Sequence, residues 1–316
     1  MTRPPFSRGA IAVCLSPVGD SGVRVMRRLE DEARRAEEAG FDGVTLSEHH
    51  AGFARYLPAP LVVTAHLLSV LEQAWAAACP TLLPLRRPVV LAEDLAWLNA
   101  AHPGRVGAGF TVGYQRQDFD AVGADFDNRV PAFWDGLADL VQALGMAREV
   151  SPVKADPAVA DLGTAGLPLL AGVSRPRGVQ RAAKLGVGVL LTSLRTAAEA
   201  AELARVYRDA GGCQSVVLNR RLYVGSDPVG FGASEASWHS RAEGANWLAA
   251  SDGALLSGLP EEVAAGLVGA AQVSGCDALH LHLDAYHGRD GEIDEQLDVL
   301  GRDVLPAVRA ELGWTA

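Results

Sequence analysis

The sequence has little of what several common protein classes require. Only four of its 316 residues are cysteines, and Cys14, Cys79, Cys213 and Cys276 lack the CxxC spacing of a metal or redox motif. We therefore expect reduced thiols in a cytoplasmic protein. Positive charge is also scarce, because 28 Lys and Arg stand against 38 Asp and Glu and leave a net charge of -10. This balance argues against nucleic acid as a partner and against an anionic membrane surface.

Long apolar runs are missing too. No stretch is long enough for a transmembrane helix, and the brief apolar segment near residue 10 is followed by Pro17 and Asp20 without a signal-peptide cleavage pattern. We expect no membrane partner. Apolar residues nevertheless make up 49% of the chain. A chain of this size can bury one large core, so we expect a single domain over residues 1–316.

Apolar, strand-like segments alternate with amphipathic, helical ones along the chain. Strands are predicted at residues 10–15, 43–47, 75–83, 105–110, 167–173, 188–192, 215–224 and 278–283. Helices are predicted at residues 25–39, 60–71, 179–185, 196–210, 261–274 and 295–312, and a further one begins at Pro88. Eight such alternations predict an α/β protein with a (β/α)8 TIM barrel. An open doubly wound sheet is the rival, but no GxGxxG motif follows the first strand.

Two segments do not fit the simple alternation. Residues 149–166 are predicted to be an irregular connection, and residues 225–258 to be an extra helix or a cover over the barrel opening. Both are expected as insertions at the C-terminal face.

The second strand ends at the C-terminal face in Ser47-Glu48-His49-His50. An imidazole changes protonation near neutral pH and a neighbouring carboxylate can orient it, so this cluster is a candidate for acid–base chemistry.

Several spaced segments together resemble one family. They are GFDGVTLSEHH at residues 40–50, PAPLVVTAHLL at 58–68, the run from RPVVLAEDL to ADFDNR at 87–129, LPEEVAAGL at 259–267 and VLPAVR at 304–309. The chain resembles the bacterial luciferase-like monooxygenases, flavin-dependent TIM barrels that usually bind FMN. The resemblance covers almost the whole chain. In that family the first histidine of the EHH motif acts in turnover, which implies that His49, with Glu48 beside it, is catalytic.

The resemblance also implies where a flavin binds. Relatives have a cis peptide under the flavin ring at the end of the third strand, and the matching pair here is Cys79-Pro80. The other expected contacts lie in loops after the fourth, fifth and sixth strands, at Thr111, Gly113, Tyr114, Ser174, Arg175, Arg177, Gly178, Thr192 and Ser193. Many relatives bind the FMN phosphate through an arginine that is Val112 here. Arg175 or Arg177, at a helix N-terminus, is expected to replace that charge, unless both are merely solvated.

The resemblance implies oxidation of a small organic substrate with reduced FMN and O₂, the reduced FMN being supplied by a separate flavin reductase. Two alternatives stay open: a deazaflavin-dependent oxidoreductase, and a non-catalytic partner subunit. Val112 favours the second alternative, whereas the retained Glu48 and His49 oppose it. A homodimer, or a heterodimer with a homologue, is also implied. His280-x-His282 has the spacing of a metal-binding pair, but the sequence identifies no further ligand, so no metal site is predicted.

Overall fold

Parallel strands form a closed barrel in the computed structural model, which describes residues 3–147, 150–163, 166–225, 255–283 and 291–314. The strands are Ile11–Leu15 (β1), Gly43–Leu46 (β2), Trp75–Leu82 (β3), Val106–Thr111 (β4), Leu169–Val173 (β5), Gly188–Leu191 (β6), Val216–Val224 (β7), Leu255–Gly258 (β8) and Ala278–Leu283 (β9). Strands β1 to β7 pair in sequence order, and β9 closes the ring between β7 and β1. The predicted (β/α)8 barrel is confirmed, with all eight of its strands where the sequence placed them.

Helices follow the strands around the outside of the barrel. They are Gly22–Glu38 (α1), Pro60–Val70 (α2), Pro88–Ala101 (α3), Arg116–Val122 (α4), Arg129–Ala143 (α5), Pro157–Asp161 (α6), Pro176–Leu185 (α7), Ala197–Asp209 (α8), Pro260–Ser274 (α9), Glu292–Val299 (α10) and Leu305–Leu312 (α11). The helix predicted over residues 295–312 is present, but it is not a regular α-helix throughout. A π-helical segment, Leu300–Val304, separates α10 from α11, because Pro306 has no N–H with which to continue the α-helical pattern.

The barrel has an outer and an inner core because its strands are buried on both faces. Alternate side chains of each strand point outward and pack against the helices, as Val13 does on β1. The others fill the barrel interior with mostly small residues, including Ala12 and Ala77. Phe6 and Trp75 close the interior at the N-terminal ends of the strands, with an edge-to-face contact at 4.9 Å between ring centroids. The barrel is thereby filled at this end, and its large cavity lies at the opposite end.

The end of β3 has the geometry that the sequence predicted. The Cys79–Pro80 peptide bond is cis, and the pairing of β3 with β4 shifts register between Ala78 and Thr81. Strand β4 approaches closely here, since a Cβ at Gly109 would lie 2.2 Å from the sulfur of Cys79. Only glycine fits at that position. The irregularity brings the Pro80 ring to the C-terminal face of the barrel, among the residues of the cavity described below.

Strand β8 was not predicted from the sequence. It pairs in parallel with the end of β7, from Arg221 to Val224, and extends the sheet outside the closed ring. Residues 226–254, most of the segment predicted to be an extra helix or a cover, lie outside the described residues. Among the helices that the structure describes, none combines the length and the apolar character needed to cross a bilayer.

Candidate active site

A cavity of about 1150 Å³ lies at the C-terminal ends of the strands. Twelve of the thirteen residues predicted for the site line it: Glu48, His49, Pro80, Thr111, Gly113, Tyr114, Ser174, Arg175, Arg177, Gly178, Thr192 and Ser193. Cys79 is the exception. It is fully buried in the barrel interior, and this burial raises the pKa of its thiol well above the ordinary range. A neutral thiol at Cys79 can pack against its neighbours but is a poor nucleophile.

His49 is held at the cavity by backbone and side-chain contacts. After β2 the chain forms a short bridge, in which the His49 N–H donates to the carbonyl of Leu57 at 3.2 Å and the Leu57 N–H donates to that of Ser47. The imidazole is only 4% exposed. Its Nδ1 lies 2.6 Å from a carboxylate oxygen of Asp118, which belongs to the first turn of α4. The Nδ1 edge of the ring is therefore fixed, and the Nε2 edge is directed away from Asp118.

Asp118 determines the tautomer of that imidazole. Its second oxygen accepts a hydrogen bond of 2.7 Å from the backbone N–H of His50, so the carboxylate is fixed by two donors. Because an ionised carboxylate only accepts hydrogen bonds, the His49 proton lies on Nδ1 and the lone pair on Nε2. The Tyr114 hydroxyl lies 3.3 Å from Nε2 and donates to it. Burial and the charge of Asp118 raise the pKa of Tyr114, which keeps this hydroxyl protonated.

Aromatic rings surround His49 on its remaining sides. Phe53 stacks on the imidazole with 4.3 Å between centroids, and Tyr56 meets it edge to face at 4.5 Å. Both rings come from the loop after β2, in which Ala51 and Arg55 adopt positive φ angles of 54° and 68°. Such backbone conformations are costly for residues with a Cβ and are concentrated at functional sites. The loop thus shields the imidazole from bulk water except toward the cavity.

Glu48 has a different environment from His49. One of its carboxylate oxygens forms an ion pair with Arg86 and accepts a hydrogen bond of 2.9 Å from Nε2 of His50. The other accepts a bond of 2.7 Å from the backbone N–H of Leu82. Both oxygens are therefore engaged, and the side chain is almost completely buried. The geometry suits a residue that joins the end of β3 to the loop carrying His49.

Positive charge is concentrated on one wall of the cavity, at helix α7. The helix begins after Arg175 with Pro176, and Arg177, Arg181 and Lys184 follow along it and line the cavity. Arg181 also lies over the ring of Trp134, 4.7 Å from its centroid. A helix N-terminus carries partial positive charge, which adds to that of these side chains. The wall can therefore bind an anionic group such as a phosphate.

Small residues leave room beside this wall. Gly178 faces Val173 and Trp134, and a Cβ there would come within 3.1 Å of the valine side chain. Val112, in the position where many relatives have an arginine, lines the cavity as an apolar surface. Thr192 and Ser193 also line it, and the Thr192 hydroxyl accepts a hydrogen bond from the N–H of Leu194. Charge on α7 and hydroxyl groups after β6 thus face the same space.

The structure adds residues that the sequence did not identify as functional. Asp118, the partner of His49, lies inside the segment at 87–129, and Arg86, the partner of Glu48, lies just before it. Each is more than 30 residues away along the chain from the side chain that it contacts. An acidic residue in the first turn of a helix, as Asp118 is, is a common N-terminal feature, so it gave no separate signal. Tyr56 and Trp134 likewise read as ordinary aromatic residues.

The fold and its relatives support an oxidoreductase barrel. The chain belongs to the luciferase-like monooxygenase family, whose family model matches residues 11–229. It is 33% identical over 131 residues to the alkanal monooxygenase alpha chain of Photorhabdus laumondii subsp. laumondii, a match that covers 41% of this chain and 36% of that one. The chain spans about a third of the length of the first curated relatives that it matches.

Solved structures share the fold over nearly the whole chain. The oxygenating constituent of 3,6-diketocamphane monooxygenase from Pseudomonas putida, in complex with FMN, superposes with a TM-score of 0.73 at 14% identity and covers 95% of this chain and 98% of its own. An F420-dependent secondary alcohol dehydrogenase superposes with a TM-score of 0.71 at 16% identity, covering 95% and 99%. At these identities the likeness concerns the fold. The barrel is therefore shared by proteins that use a flavin and proteins that use a deazaflavin.

Proposed function

We propose that this protein is a flavin-dependent monooxygenase that uses reduced FMN and O₂ to oxidise a small organic substrate. The observation that carries the proposal is the buried pair of His49 and Asp118 at the cavity, with Nε2 of His49 directed toward the hydroxyl of Tyr114. A histidine fixed in one tautomer by a carboxylate is suited to moving a proton. The alkanal monooxygenase relative makes an aldehyde a sensible first substrate class to test.

The residues of the cavity fit an FMN molecule. Its volume of about 1150 Å³ exceeds the ordinary range for one drug-sized ligand, roughly 300–1,000 Å³, and leaves space for a substrate beside a cofactor. Pro80 and Leu82 form an apolar surface at the irregular end of β3, against which a flat ring can pack. Ser174 and Arg177, at the start of α7, would bind the phosphate. When bound, reduced FMN supplies the electrons that activate O₂.

The protein's own part in the reaction is to position groups, exclude water and move protons. His49 Nε2 accepts a proton that is released in the cavity and returns it, while Asp118 stabilises the resulting imidazolium ion. The Tyr114 hydroxyl keeps Nε2 oriented when no substrate is bound. Phe53 and Tyr56 exclude water from the ring. Glu48, bound to Arg86, is a positioning residue that keeps the His49 loop against β3.

A deazaflavin-dependent oxidoreductase is the second candidate. The observation in its favour is that positive charge continues along α7 from Arg177 to Arg181 and Lys184, beyond the N-terminus of the helix. These charges suit a coenzyme whose anionic side chain extends further along α7 than the phosphate of FMN would. The apolar Val112 agrees with a phosphate position that differs from that of many FMN-binding relatives.

One set of titrations tests both candidates. The purified protein is titrated anaerobically with reduced FMN and with a reduced deazaflavin, and O₂ uptake is then measured with a flavin reductase, NADH and a panel of aldehydes and ketones. We expect reduced FMN to bind and O₂ uptake to depend on the substrate. Binding of the deazaflavin alone, with turnover in the absence of O₂, would replace the monooxygenase by the second candidate. No binding and no turnover of the isolated chain would favour a non-catalytic partner subunit.

The implied dimer stays a prediction, which the mass measured by light scattering checks.

A further inference from the structure

A second group of chemically active side chains lies in the barrel interior. Cys14 on β1 is the register partner of His282 on β9, and His280 lies two residues earlier on that strand. The alternation of strand side chains directs all three inward. Their potential ligand atoms, one from each residue, lie within 4.8 Å of one another. Among the described residues no other group of three or more cysteine, histidine or acidic side chains comes this close together.

Two nitrogens of this group have no hydrogen-bond partner among the described residues. They are Nδ1 of His280 and Nε2 of His282, and both atoms are buried. Buried polar atoms of native proteins are nearly always satisfied, so two adjacent exceptions need an explanation. The other nitrogen of His280 lies 2.6 Å from the hydroxyl of Thr45. When Nε2 donates to that hydroxyl, the lone pair of Nδ1 is left available for a metal ion.

We propose that Cys14, His280 and His282 form a binding site for a zinc ion at the base of the cavity. Zinc takes sulfur and nitrogen ligands in tetrahedral geometry, with Zn–S about 2.3 Å and Zn–N about 2.0–2.1 Å, so that its ligand atoms lie roughly 3.3–3.6 Å apart. To reach these separations, the ligand atoms would have to approach one another by at most about 1.5 Å. Three protein ligands leave the fourth position open, as in catalytic zinc sites.

The charges of the group agree with a metal ion. Burial lowers the pKa of His280 to about 4 and that of His282 well below its ordinary value, so both rings are neutral and able to coordinate. Burial raises the pKa of the Cys14 thiol, whereas hydrogen bonds from Ser47 and Thr45 oppose that shift. Binding of a divalent ion displaces the thiol proton, and the thiolate cancels one of the two positive charges.

The open position faces the cavity. His282 lines it together with Ser47, Asn219 and Arg221. A metal ion there would take its fourth ligand from the cavity, either a water molecule or an oxygen of a carbonyl or carboxylate ligand. The site lies inside the barrel and His49 on the loop after β2, so loss of the metal leaves the His49–Asp118 pair in place. The site does not depend on which flavin the protein uses.

The test uses cobalt as a spectroscopic probe, in the absence of flavin. The protein is treated with a chelator and titrated with Co²⁺ in a Cys213→Ser background, which removes the exposed thiol. We expect one Co²⁺ per chain, a thiolate-to-cobalt charge-transfer band and visible bands of tetrahedral Co²⁺, all displaced by one equivalent of Zn²⁺. Cys14→Ser should abolish the charge-transfer band, whereas Cys276→Ser, which removes another buried thiol, should retain it. Thr45→Ala should weaken Zn²⁺ binding by about 10–100-fold.

Two results would overturn the proposal. The first is a folded parent protein that shows no charge-transfer band at saturating Co²⁺. The second is an unchanged band in the Cys14→Ser variant. Because that variant removes a buried group, X-ray absorption of the zinc-loaded parent protein provides a measurement that requires no substitution at the site. One sulfur and two imidazole nitrogens around the zinc would support the site, and any shell without sulfur would exclude it. Neither measurement depends on the proposed monooxygenase activity.

Discussion

Replacing Asp118 by asparagine isolates the contribution of the carboxylate behind His49. Asparagine has nearly the same shape and can still accept the hydrogen bond from the N–H of His50. Its amide nitrogen, however, is a donor, and an amide directed at Nδ1 of His49 forces the ring proton onto Nε2. The histidine then offers a proton where it previously offered a lone pair. Asp118→Asn is therefore expected to change the chemistry of His49 without removing the side chain.

The size of the effect follows from the role of the pair. A positioned acid or base contributes about 10²–10⁴-fold to a rate, which corresponds to about 2.7–5.4 kcal/mol at 1.36 kcal/mol per factor of ten. We expect turnover of Asp118→Asn to fall by a factor within that range, because the imidazolium that forms at His49 during turnover loses its counterion. Stability should fall by about 1.5–3 kcal/mol, the contribution of one charge-assisted hydrogen bond.

The assay compares Asp118→Asn with a matched variant, Asp42→Asn. Asp42 is also a buried carboxylate with two donors, the N–H of Ile11 and the guanidinium of Arg309, but it precedes β2, at the opposite end of the barrel. Reduced-FMN affinity, substrate-dependent O₂ uptake and urea unfolding are measured for both variants. Both should lose stability, and only Asp118→Asn should lose turnover. Equal turnover in the two variants, with flavin binding intact, would refute the role assigned to Asp118.

Three further substitutions test other parts of the structure. Arg177→Ala should weaken FMN binding by about 10–100-fold, because a charge-assisted contact contributes roughly 1.5–3 kcal/mol, and it should leave riboflavin binding unchanged in fluorescence titrations. Gly109→Ala should lower the urea midpoint by an equivalent of about 1–3 kcal/mol, since its Cβ would lie 2.2 Å from the Cys79 sulfur. Glu32→Gln should stabilise the protein at pH 8 by about 1–3 kcal/mol and change little at pH 4, because burial raises the pKa of Glu32 from 4.5 to about 7.

The sign of the last effect follows from the titration of Glu32. Because its pKa is higher in the folded protein than in the unfolded chain, its carboxyl favours folding below pH 4.5, and this contribution disappears as the pH rises through about 7. Glutamine imitates the protonated form at every pH. A variant that is less stable than the parent at pH 8 would contradict this account. The control for Arg177→Ala is Arg205→Ala, a substitution of an exposed arginine on α8. An equal loss of FMN affinity in both variants would contradict the role proposed for Arg177.

The fold was predictable because the strands of a parallel barrel are buried on both faces and read as continuous apolar segments. All eight barrel strands were predicted in this way. The cis bond at Cys79–Pro80 was predicted from the family resemblance. Strand β8 was missed because it lies outside the closed ring as a short edge strand. The final helix was predicted, but its π-helical segment at Leu300–Val304 was not, because an apolar helical period does not show how Pro306 changes the backbone hydrogen bonds.

The residues of the site could be predicted from the family resemblance and from their places at strand ends, but the pairs that they form could not. The strand ends and the segments after β4, β5 and β6 could be placed at one face, because all C-terminal ends of a barrel lie together. Pairings between those loops could not, because the rotation of each loop depends on its own packing. Asp118 shows this limit: it reaches His49 only through the orientation of α4, which the sequence pattern did not specify.

The histidines of β9 show the same limit inside the barrel. The sequence placed His280 and His282 on one face of a strand, but spacing along a chain can identify only ligands that share a strand or a helix. The third candidate ligand, Cys14, comes from the opposite end of the sequence, because closure of the ring places β1 beside β9. The register of the two strands then places Cys14 beside His282. In a closed barrel, a side chain of the first strand can therefore complete a metal site that begins with a histidine pair on the last strand.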